Sequence, residues 1–383
     1  MNSYEWLAKL VAFDTTSRHS NLALIAFVEE WLTSYTITSR LTYDATGKKA
    51  NLFVTLPADN HTLDGGLILS GHTDVVPVDG QQWDTDPFNL VIAQDRLYGR
   101  GTCDMKGFIA VVLALVPEFK KMRLKYPLHL ALSYDEEVGC RGAPFLIDDF
   151  QKHGIKPAAC IVGEPTEVHA VIAHKGINAF RCRLHGRAAH SSLTPSGCNA
   201  IEYAAQFICW IKDLANQFKE NQDSYFDVPF TTITSNVISG GTALNIIPSD
   251  CEFLFEFRNL PQLNPEHVID KINAYIIKDL LPSMRHHFNE AAVAIEPVGS
   301  VPAFEASENA IFTQLVREIL KENAIHKVSY ATEAGLFQQA GIPTIVCGPG
   351  SIEQAHRANE FVTQDQITKY ENFLREMVTR FCG

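Results

Sequence analysis

The residues best suited to chemistry begin in the segment Leu67–Asp74, LILSGHTD. Apolar and small residues lead to His72, a spacer and Asp74, which is typical of a buried strand that ends at a His-x-Asp pair. Such a pair can hold a divalent metal, because the imidazole binds through one ring nitrogen while a carboxylate accepts the other N–H. A strand-end histidine that only makes a hydrogen bond is the competing interpretation.

Other acidic and imidazole side chains follow neighbouring predicted strands. They are Glu136 and Glu137 after the strand ending at Ser133, Glu164 after the strand ending at Val162, His356 beyond the turn after Cys347, and Asp104 just ahead of a predicted helix. Ligands collect beyond the carboxyl ends of the strands in a parallel sheet, so we expect these side chains to lie together. Any one of them alone would be interpreted as a helix cap or a surface charge.

Nitrogen and oxygen ligands without thiolates suit zinc, cobalt or manganese. Two histidines and three carboxylates are too many for one four-coordinate ion, and they indicate two ions that share a bridging carboxylate. Two neighbouring ions can polarise a carbonyl and activate water at neutral pH. Adjacent residues after a strand point in different directions, so one of Glu136 and Glu137 could bind metal while the other acts as a general base.

The elements around these residues alternate between apolar strands and helical patterns, which favours an α/β fold with a mostly parallel sheet covered on both faces. The predicted strands are Leu67–Ser70, Leu128–Ser133, Ala158–Val162 and Ile342–Cys347, and the predicted helices include Met105–Lys121, Gly142–Lys152, Ala310–Glu322, Glu333–Ala340 and Thr363–Arg380. From about Lys175 the pattern changes to strands with two helices, typical of a smaller α+β unit. We therefore predict an inserted domain at 175–298 and a catalytic, metal-binding domain at 1–174 and 299–383.

Composition excludes several classes of function. The net charge of −12 over 383 residues argues against a nucleic-acid partner, and the longest apolar run, Phe108–Val116, is too short to span a membrane. Nine cysteines without a C-x-x-C pair, together with an N-terminus that lacks a secretory pattern, predict reduced thiols and a cytoplasmic location. No P-loop or dinucleotide fingerprint is present, and the absence of a G-x-S-x-G elbow argues against a serine hydrolase.

Four sequence runs carry a family resemblance: GHTDVVP, GRGTCDMKG, DEEVGCRGA and GEPT. In this order and spacing they resemble the dinuclear-zinc amidohydrolases, and the resemblance covers nearly the whole chain. That family includes aminoacylases, succinyl-diaminopimelate desuccinylases and acetylornithine deacetylases, and the runs AHKG, AAHSS, ATEAG and GPGSIEQAH look most like the last group. The resemblance implies two divalent ions, Zn²⁺ with Co²⁺ as a substitute, and an inserted lid that also forms the interface of a homodimer.

The resemblance also implies a role for each candidate residue. The metal ligands would be His72 and Glu164 for one ion, Glu137 and His356 for the other, and Asp104 as the bridge. Asp74 would orient His72, Glu136 would be the general base, and the Asp104–Met105 peptide bond would be cis.

In the inserted domain, His190 would stabilise the oxyanion, from its own or a second subunit, and Asn245 and Arg258 would bind substrate. The arginine fork suits an α-carboxylate. Glu333 is a candidate partner for a substrate ammonium, although a helix-start carboxylate is the simpler interpretation.

Two classes of function remain open from the sequence. The first is hydrolysis of the amide of a small N-acyl amino acid, with N2-acetyl-L-ornithine favoured and a desuccinylase, dipeptidase or carboxypeptidase as alternatives. The second is a metal-stabilised binding protein without activity. The presence of Glu136 beside Glu137 argues against the second class, because a binding protein has no use for a general base.

Overall fold

The computed structural model describes all residues from Met1 to Gly383 and divides into two compact units. The first unit comprises Met1–Ala173, Glu305–His326 and Thr332–Gly383, and the second comprises His174–Phe304 and Lys327–Ala331. The predicted boundary at residue 298 falls within the strand Ala292–Val301 of the second unit. None of the helices is both long and apolar enough to cross a membrane.

The elements are numbered in chain order. The α-helices are α1 Ser3–Val11, α2 Leu22–Ser34, α3 Lys106–Phe119, α4 Ala143–Lys152, α5 Ala200–Gln217, α6 Pro265–Tyr275, α7 Leu281–His287, α8 Ile311–Leu320, α9 Ala334–Gln339 and α10 Gln364–Cys382. The strands are β1 Ser39–Tyr43, β2 Ala50–Leu56, β3 Leu67–His72, β4 Val91–Ala93, β5 Arg96–Tyr98, β6 Leu128–Ser133, β7 Ala159–Val162, β8 Val171–His174, β9 Ile177–His185, β10 Ala189–His190, β11 Thr232–Gly240, β12 Ile246–Ile247, β13 Asp250–Arg258, β14 Ala292–Val301, β15 Phe304–Glu305, β16 His326–Val328, β17 Thr344–Val346 and β18 Phe361–Thr363.

The large sheet has the strand order β1-β2-β6-β3-β7-β17-β8-β15, and β16 pairs with β8. Its centre is parallel, because β3 pairs in parallel with β6 and β7, and β17 pairs in parallel with β7. Strands β3, β6 and β7 are buried along their whole length, as their continuous apolar runs predict for a sheet covered on both faces. The predicted α/β fold with a mainly parallel sheet is confirmed.

The second unit contains an antiparallel sheet with the order β11-β13-β9-β14. Buried and partly exposed residues alternate along β9 and β13, so one face of this sheet packs into a core. The aromatic residues Phe207, Phe253 and Phe255 lie in that core, against the helical segments of the unit.

Sequence periodicity did not indicate the small sheet formed by β4, β5 and β18. Each of these strands has three residues, which is too short for a period of two to be recognised.

A buried histidine makes stability depend on pH. His129 stacks on Phe53, with Nδ1 at 2.9 Å from the Thr55 hydroxyl and Nε2 at 2.9 Å from the Gly65 carbonyl oxygen. Burial lowers the pKa of His129 from 6.5 to about 4. Between these values the unfolded chain binds a proton that the folded chain does not, so this residue favours folding at neutral pH and that preference is lost as the pH falls below 6.5.

The free energy of unfolding is therefore expected to fall between pH 7 and pH 5 by about 2 kcal/mol more in the unsubstituted protein than in His129→Gln. Denaturant unfolding at both pH values, with the same metal supply, measures this difference. Parallel pH dependence in the two proteins would show that His129 is not responsible.

Candidate metal centre

The predicted site residues follow three adjacent parallel strands. In the sheet register His72, the last residue of β3, lies opposite Ser133, the last residue of β6, and Ser70 lies opposite Val162, the last residue of β7. The residues that come next, the Glu136–Glu137 pair after β6 and Glu164 after β7, therefore emerge at the same edge of the sheet as His72.

Glycines precede two of the candidate ligands because helix α3 packs closely against the strand ends. A Cβ at Gly71 would lie 2.9 Å from the Phe108 ring, and one at Gly163 would lie only 1.9 Å from it. Any side chain at Gly163 would therefore clash with Phe108. The two glycines allow His72 and Glu164 to sit directly beside the start of this helix.

Asp104 lies between two groups of candidate ligands. Its Oδ1 is 3.0 Å from Nε2 of His72, and its Oδ2 is 3.3 Å from Nε2 of His356. On the first side, His72 Nε2 is 3.7 Å from Glu164 Oε1, and on the second side, His356 Nε2 is 3.0 Å from Glu137 Oε2. The peptide bond between Asp104 and Met105 is cis. One carboxylate thus faces both histidines, each of which has a second carboxylate beside it.

Unsatisfied oxygens show that these residues fit cations. Oε1 of Glu137 and Oε1 of Glu164 are buried and accept no hydrogen bond. A buried carboxylate oxygen without a partner is costly, and native proteins satisfy nearly all such atoms. Two divalent cations, one on each side of Asp104, would satisfy both oxygens, and the donor set of imidazole and carboxylate suits zinc.

Burial and the neighbouring charged groups shift the pKa values of this cluster strongly. Burial raises the pKa of Glu137 to about 7 and raises that of Glu164 well above its ordinary value. Hydrogen bonds to Asp104 and Glu137 raise the pKa of His356 to about 10. Metal binding needs ionised carboxylates and neutral imidazoles, so it must displace protons from this cluster, and metal affinity should rise with pH.

Asp74 acts on His72 through its main chain. Nδ1 of His72 lies 2.9 Å from the main-chain oxygen of Asp74, whereas the nearest carboxylate oxygen of Asp74 is 3.7 Å away. The Asp74 carboxylate instead accepts the backbone N–H groups of Glu136 at 3.0 Å and Glu137 at 3.3 Å, and the hydroxyl of Ser17 at 2.7 Å. Its side chain therefore positions the two glutamates rather than the histidine.

The two glutamates differ in their surroundings. Glu137 lies beside His356 and has the unsatisfied oxygen, whereas Oε1 of Glu136 accepts the thiol of Cys140 at 3.3 Å. Burial raises the pKa of Glu136 well above its ordinary value, and the neighbouring charge of Glu137 adds to the increase. These surroundings favour Glu137 as the ligand and Glu136 as the base.

Glu360, which was not among the predicted site residues, shapes the loop that carries Asp104. Its Oε1 accepts the backbone N–H groups of Cys103 at 2.8 Å and Asp104 at 3.0 Å. Its Oε2 accepts the N–H of Gly101 at 3.0 Å and the guanidinium of Arg100 at 2.6 Å. No sequence signal marks this role, since Glu360 is a single carboxylate 256 residues from Asp104.

Glu333 lies within the first unit and is 1% exposed. Its carboxylate accepts the hydroxyl of Ser133 at 2.5 Å and that of Ser70 at 3.4 Å, and burial raises its pKa. The charge of Glu333 also contributes to the raised pKa of Glu136. Glu333 is therefore a buried carboxyl close to the candidate base, and its contact with a substrate ammonium stays a prediction.

The other three predicted residues belong to the second unit. His190 is exposed and lies in the short ladder of β10 and β12, where the main-chain oxygen of Asn245 accepts the N–H of Ser191 at 2.9 Å. Arg258 ends β13, and its Nε donates to Glu256 Oε1 at 3.0 Å. The structure thus brings His190 and Asn245 together, and it places Arg258 at the last residue of β13, the strand that follows β12 in the chain.

Comparison with known proteins agrees with this geometry. Residues 68–380 match the model of the peptidase family M20/M25/M40. The chain belongs to this family. An acetylornithine deacetylase from Pasteurella multocida is 34% identical over 95% of this chain and 92% of the relative.

Solved structures share the fold across both units. An M20 family metallo-carboxypeptidase from Sulfolobus solfataricus has a TM-score of 0.75 at 16% identity, covering 99% of both chains. A dinuclear metal-binding M20 peptidase from Bacillus subtilis has a TM-score of 0.68 at 14% identity, covering 99% of this chain and 98% of the other. The chain is an enzyme of the metal-dependent amidohydrolase class, as the sequence resemblance implied, and the non-catalytic alternative is set aside.

Proposed function

We propose that this enzyme hydrolyses N2-acetyl-L-ornithine to L-ornithine and acetate, a reaction of arginine biosynthesis. Metal-dependent hydrolysis is supported by one observation above all: Asp104 lies between two histidine–carboxylate groups, and each group contains a buried carboxylate oxygen without a hydrogen bond. The choice of acetylornithine is supported by the relative from Pasteurella multocida and by the buried carboxyl of Glu333 near the candidate base.

Two divalent ions, which we propose to be Zn²⁺ with Co²⁺ as a substitute, would be held by the residues of the candidate metal centre. His72 and Glu164 would bind one ion, Glu137 and His356 the other, and Asp104 both. When bound, the ions supply Lewis-acid polarisation of the scissile carbonyl and lower the pKa of water.

Glu136 is the residue that moves protons in this proposal. It accepts a proton from the attacking water as the water oxygen bonds to the carbonyl carbon, and it passes that proton to the amide nitrogen as the C–N bond breaks. The raised pKa of Glu136, caused by burial, suits both steps, because a base that later acts as an acid works best with a pKa near the operating pH.

The substrate carboxylate is assigned to the cationic end of the second unit's sheet. Burial, together with the nearby charge of Arg258, lowers the pKa of Lys175 to about 8. Nζ of Lys175 donates to the main-chain oxygen of Phe230 at 2.6 Å. Nε of Arg258 donates to Glu256, but the guanidinium has further N–H donors at its fork. Arg258, about a third exposed, is the cation we propose to bind the α-carboxylate through its two-pronged guanidinium.

Substrate preference tests this assignment. We expect kcat/KM for N2-acetylornithine to exceed that for N-succinyl-diaminopimelate by at least about 10-fold, because the succinyl carboxylate would need a further cation. N-acetylnorvaline, which lacks only the ammonium group, is the matched control. If Glu333 recognises that group, the ratio of kcat/KM for N2-acetylornithine to that for N-acetylnorvaline should be smaller in Glu333→Gln than in the unsubstituted enzyme. Faster turnover of the succinylated substrate would contradict the proposal.

We infer that His190 and Arg258 of one chain lie too far apart to contact the same small substrate. β13 alone separates Asp250 from Arg258 by eight residues, about 27 Å at the rise of an antiparallel strand. His190 pairs with Ile246, four residues before the Asp250 end of this strand. We therefore propose a homodimer in which the two residues that serve one substrate come from different chains, and the exposed apolar side chains of Val237, Ile238 and Leu244 support such an interface.

Mixing two inactive variants tests this arrangement. Glu136→Gln and His190→Ala chains, unfolded and refolded together, should recover about a quarter of the unsubstituted activity, because half of randomly formed dimers contain one complete site. Each variant refolded alone is the control. If the mixture stays as inactive as its components while mixed dimers are shown to form, His190 acts within its own chain.

A further inference from the structure

A second cluster of metal-binding residues lies outside the candidate metal centre. It consists of His169, Glu322 and His326, whose potential ligand atoms all lie within 4.8 Å of one another. We propose that these three residues form an additional zinc-binding site. Two imidazoles and one carboxylate are a ligand set that zinc uses widely, with a fourth position left for water.

The three side chains converge on one oxygen. Nδ1 of His169 lies 2.5 Å and Nε2 of His326 lies 2.6 Å from the same Oε1 of Glu322. The two imidazole rings stack with their centroids 4.6 Å apart, so both nitrogens face the carboxylate from one side. The other oxygen of Glu322 accepts the backbone N–H of Ala170 at 2.9 Å, which holds the carboxylate in its orientation as a neighbouring group does in known metal sites.

A buried nitrogen without a hydrogen bond distinguishes this cluster from a simple hydrogen-bonded group. Nε2 of His326 is shielded from solvent and, despite its closeness to Glu322, makes no hydrogen bond. The same signature occurs at Oε1 of Glu137 and Oε1 of Glu164 in the candidate metal centre. A buried ligand atom that lies in a cluster without making a hydrogen bond is satisfied when a cation occupies the middle.

The cluster can open enough to admit an ion. Bonds of about 2.0–2.1 Å in a tetrahedral site place the donor atoms about 3.3 Å apart, so each nitrogen must move from Glu322 Oε1 by less than about 1 Å. The side chain of His169 is 49% exposed, against 33% for His326 and 9% for Glu322, so it is the ligand with the most room to move.

The position of the site gives it a structural role. His326 is the last residue before the chain passes into the second unit at Lys327, and His169 lies shortly before the passage at His174. Glu322 follows helix α8 of the first unit. A bound ion would therefore link the two segments that lead into the second unit, one before His174 and one before Lys327, to each other and to the end of helix α8.

Zinc counting tests the proposal. Chelator-treated full-length protein is dialysed against ZnCl₂ at a buffered free concentration, and bound zinc is measured by mass spectrometry. The unsubstituted protein should bind one zinc ion per chain more than His169→Gln/His326→Gln. The readout is a difference, so it does not depend on the number of ions in the candidate metal centre or on the proposed reaction.

Controls separate a site from surface binding and from misfolding. His153→Gln replaces a histidine of similar exposure, 54%, beside Asp149 and should bind as much zinc as the unsubstituted protein. Glu322→Gln should lose the same single ion as the double variant, and the metal-free melting temperatures of all variants should agree. Equal zinc counts in the unsubstituted protein and the double variant, or an equal loss in His153→Gln, would overturn the proposal.

Discussion

Glu136→Gln is expected to lower kcat by about 10²–10⁴-fold while the protein keeps its metal. Glutamine has nearly the same shape, and the backbone N–H of Glu136 that donates to Asp74 is unchanged, so the local structure should persist. The amide cannot accept the proton from water, and this removes the general base. Steady-state kinetics with N2-acetylornithine and metal analysis of the same preparation check both halves of the prediction.

Glu137→Gln is the matched comparison for this variant. Its carboxylate lies 3.0 Å from Nε2 of His356 and has an unsatisfied buried oxygen, so its loss should lower the metal content as well as the activity. If Glu136→Gln were the variant that lost metal and Glu137→Gln the one that kept it, the two glutamates would have to exchange roles.

Asp104→Ala is expected to remove both ions from the candidate metal centre and to abolish hydrolysis. The two oxygens of Asp104 face different histidines, at 3.0 and 3.3 Å, so this substitution removes a contact from both groups at once. Loss of the bridging carboxylate should weaken the binding of each ion by at least about 100-fold, the upper limit for loss of an outer contact in a metal site. Metal titration of chelator-treated protein measures this.

His356→Ala provides the contrast. This residue belongs only to the group that contains Glu137, so one ion should be lost while the group of His72 and Glu164 keeps the other. Unaltered binding of two ions by Asp104→Ala would rule out its bridging role. Hydrolysis that persists after both ions are removed would rule out the proposed chemistry.

Much of the metal centre could be predicted from the sequence because its parts are local. His72, Glu136, Glu137 and Glu164 each follow a continuous apolar strand within a few residues, and parallel strands bring their ends to one edge.

The role of Asp74 needed the structure. The sequence places it two residues after His72, a spacing that favours a bond between the two side chains. In the fold the main-chain oxygen of Asp74, and not its carboxylate, lies within hydrogen-bond distance of His72. The carboxylate accepts the backbone N–H groups of Glu136 and Glu137, which follow the neighbouring strand β6. Sequence spacing limits which residues are near one another, but the path of the backbone decides which atom of Asp74 faces the imidazole.

The sequence by itself indicated the class of chemistry and the candidate residues, because these depend on short runs of residue types and on the family resemblance that those runs carry. The domain bounds and the role of each ligand stay predictions. The tertiary structure alone decided the contacts between distant segments. Glu360 supports the Asp104 loop from 256 residues away, and Glu322 meets His169 across 153 residues. Such contacts depend on how the strands cross and pair, which leaves no periodic signal in the chain.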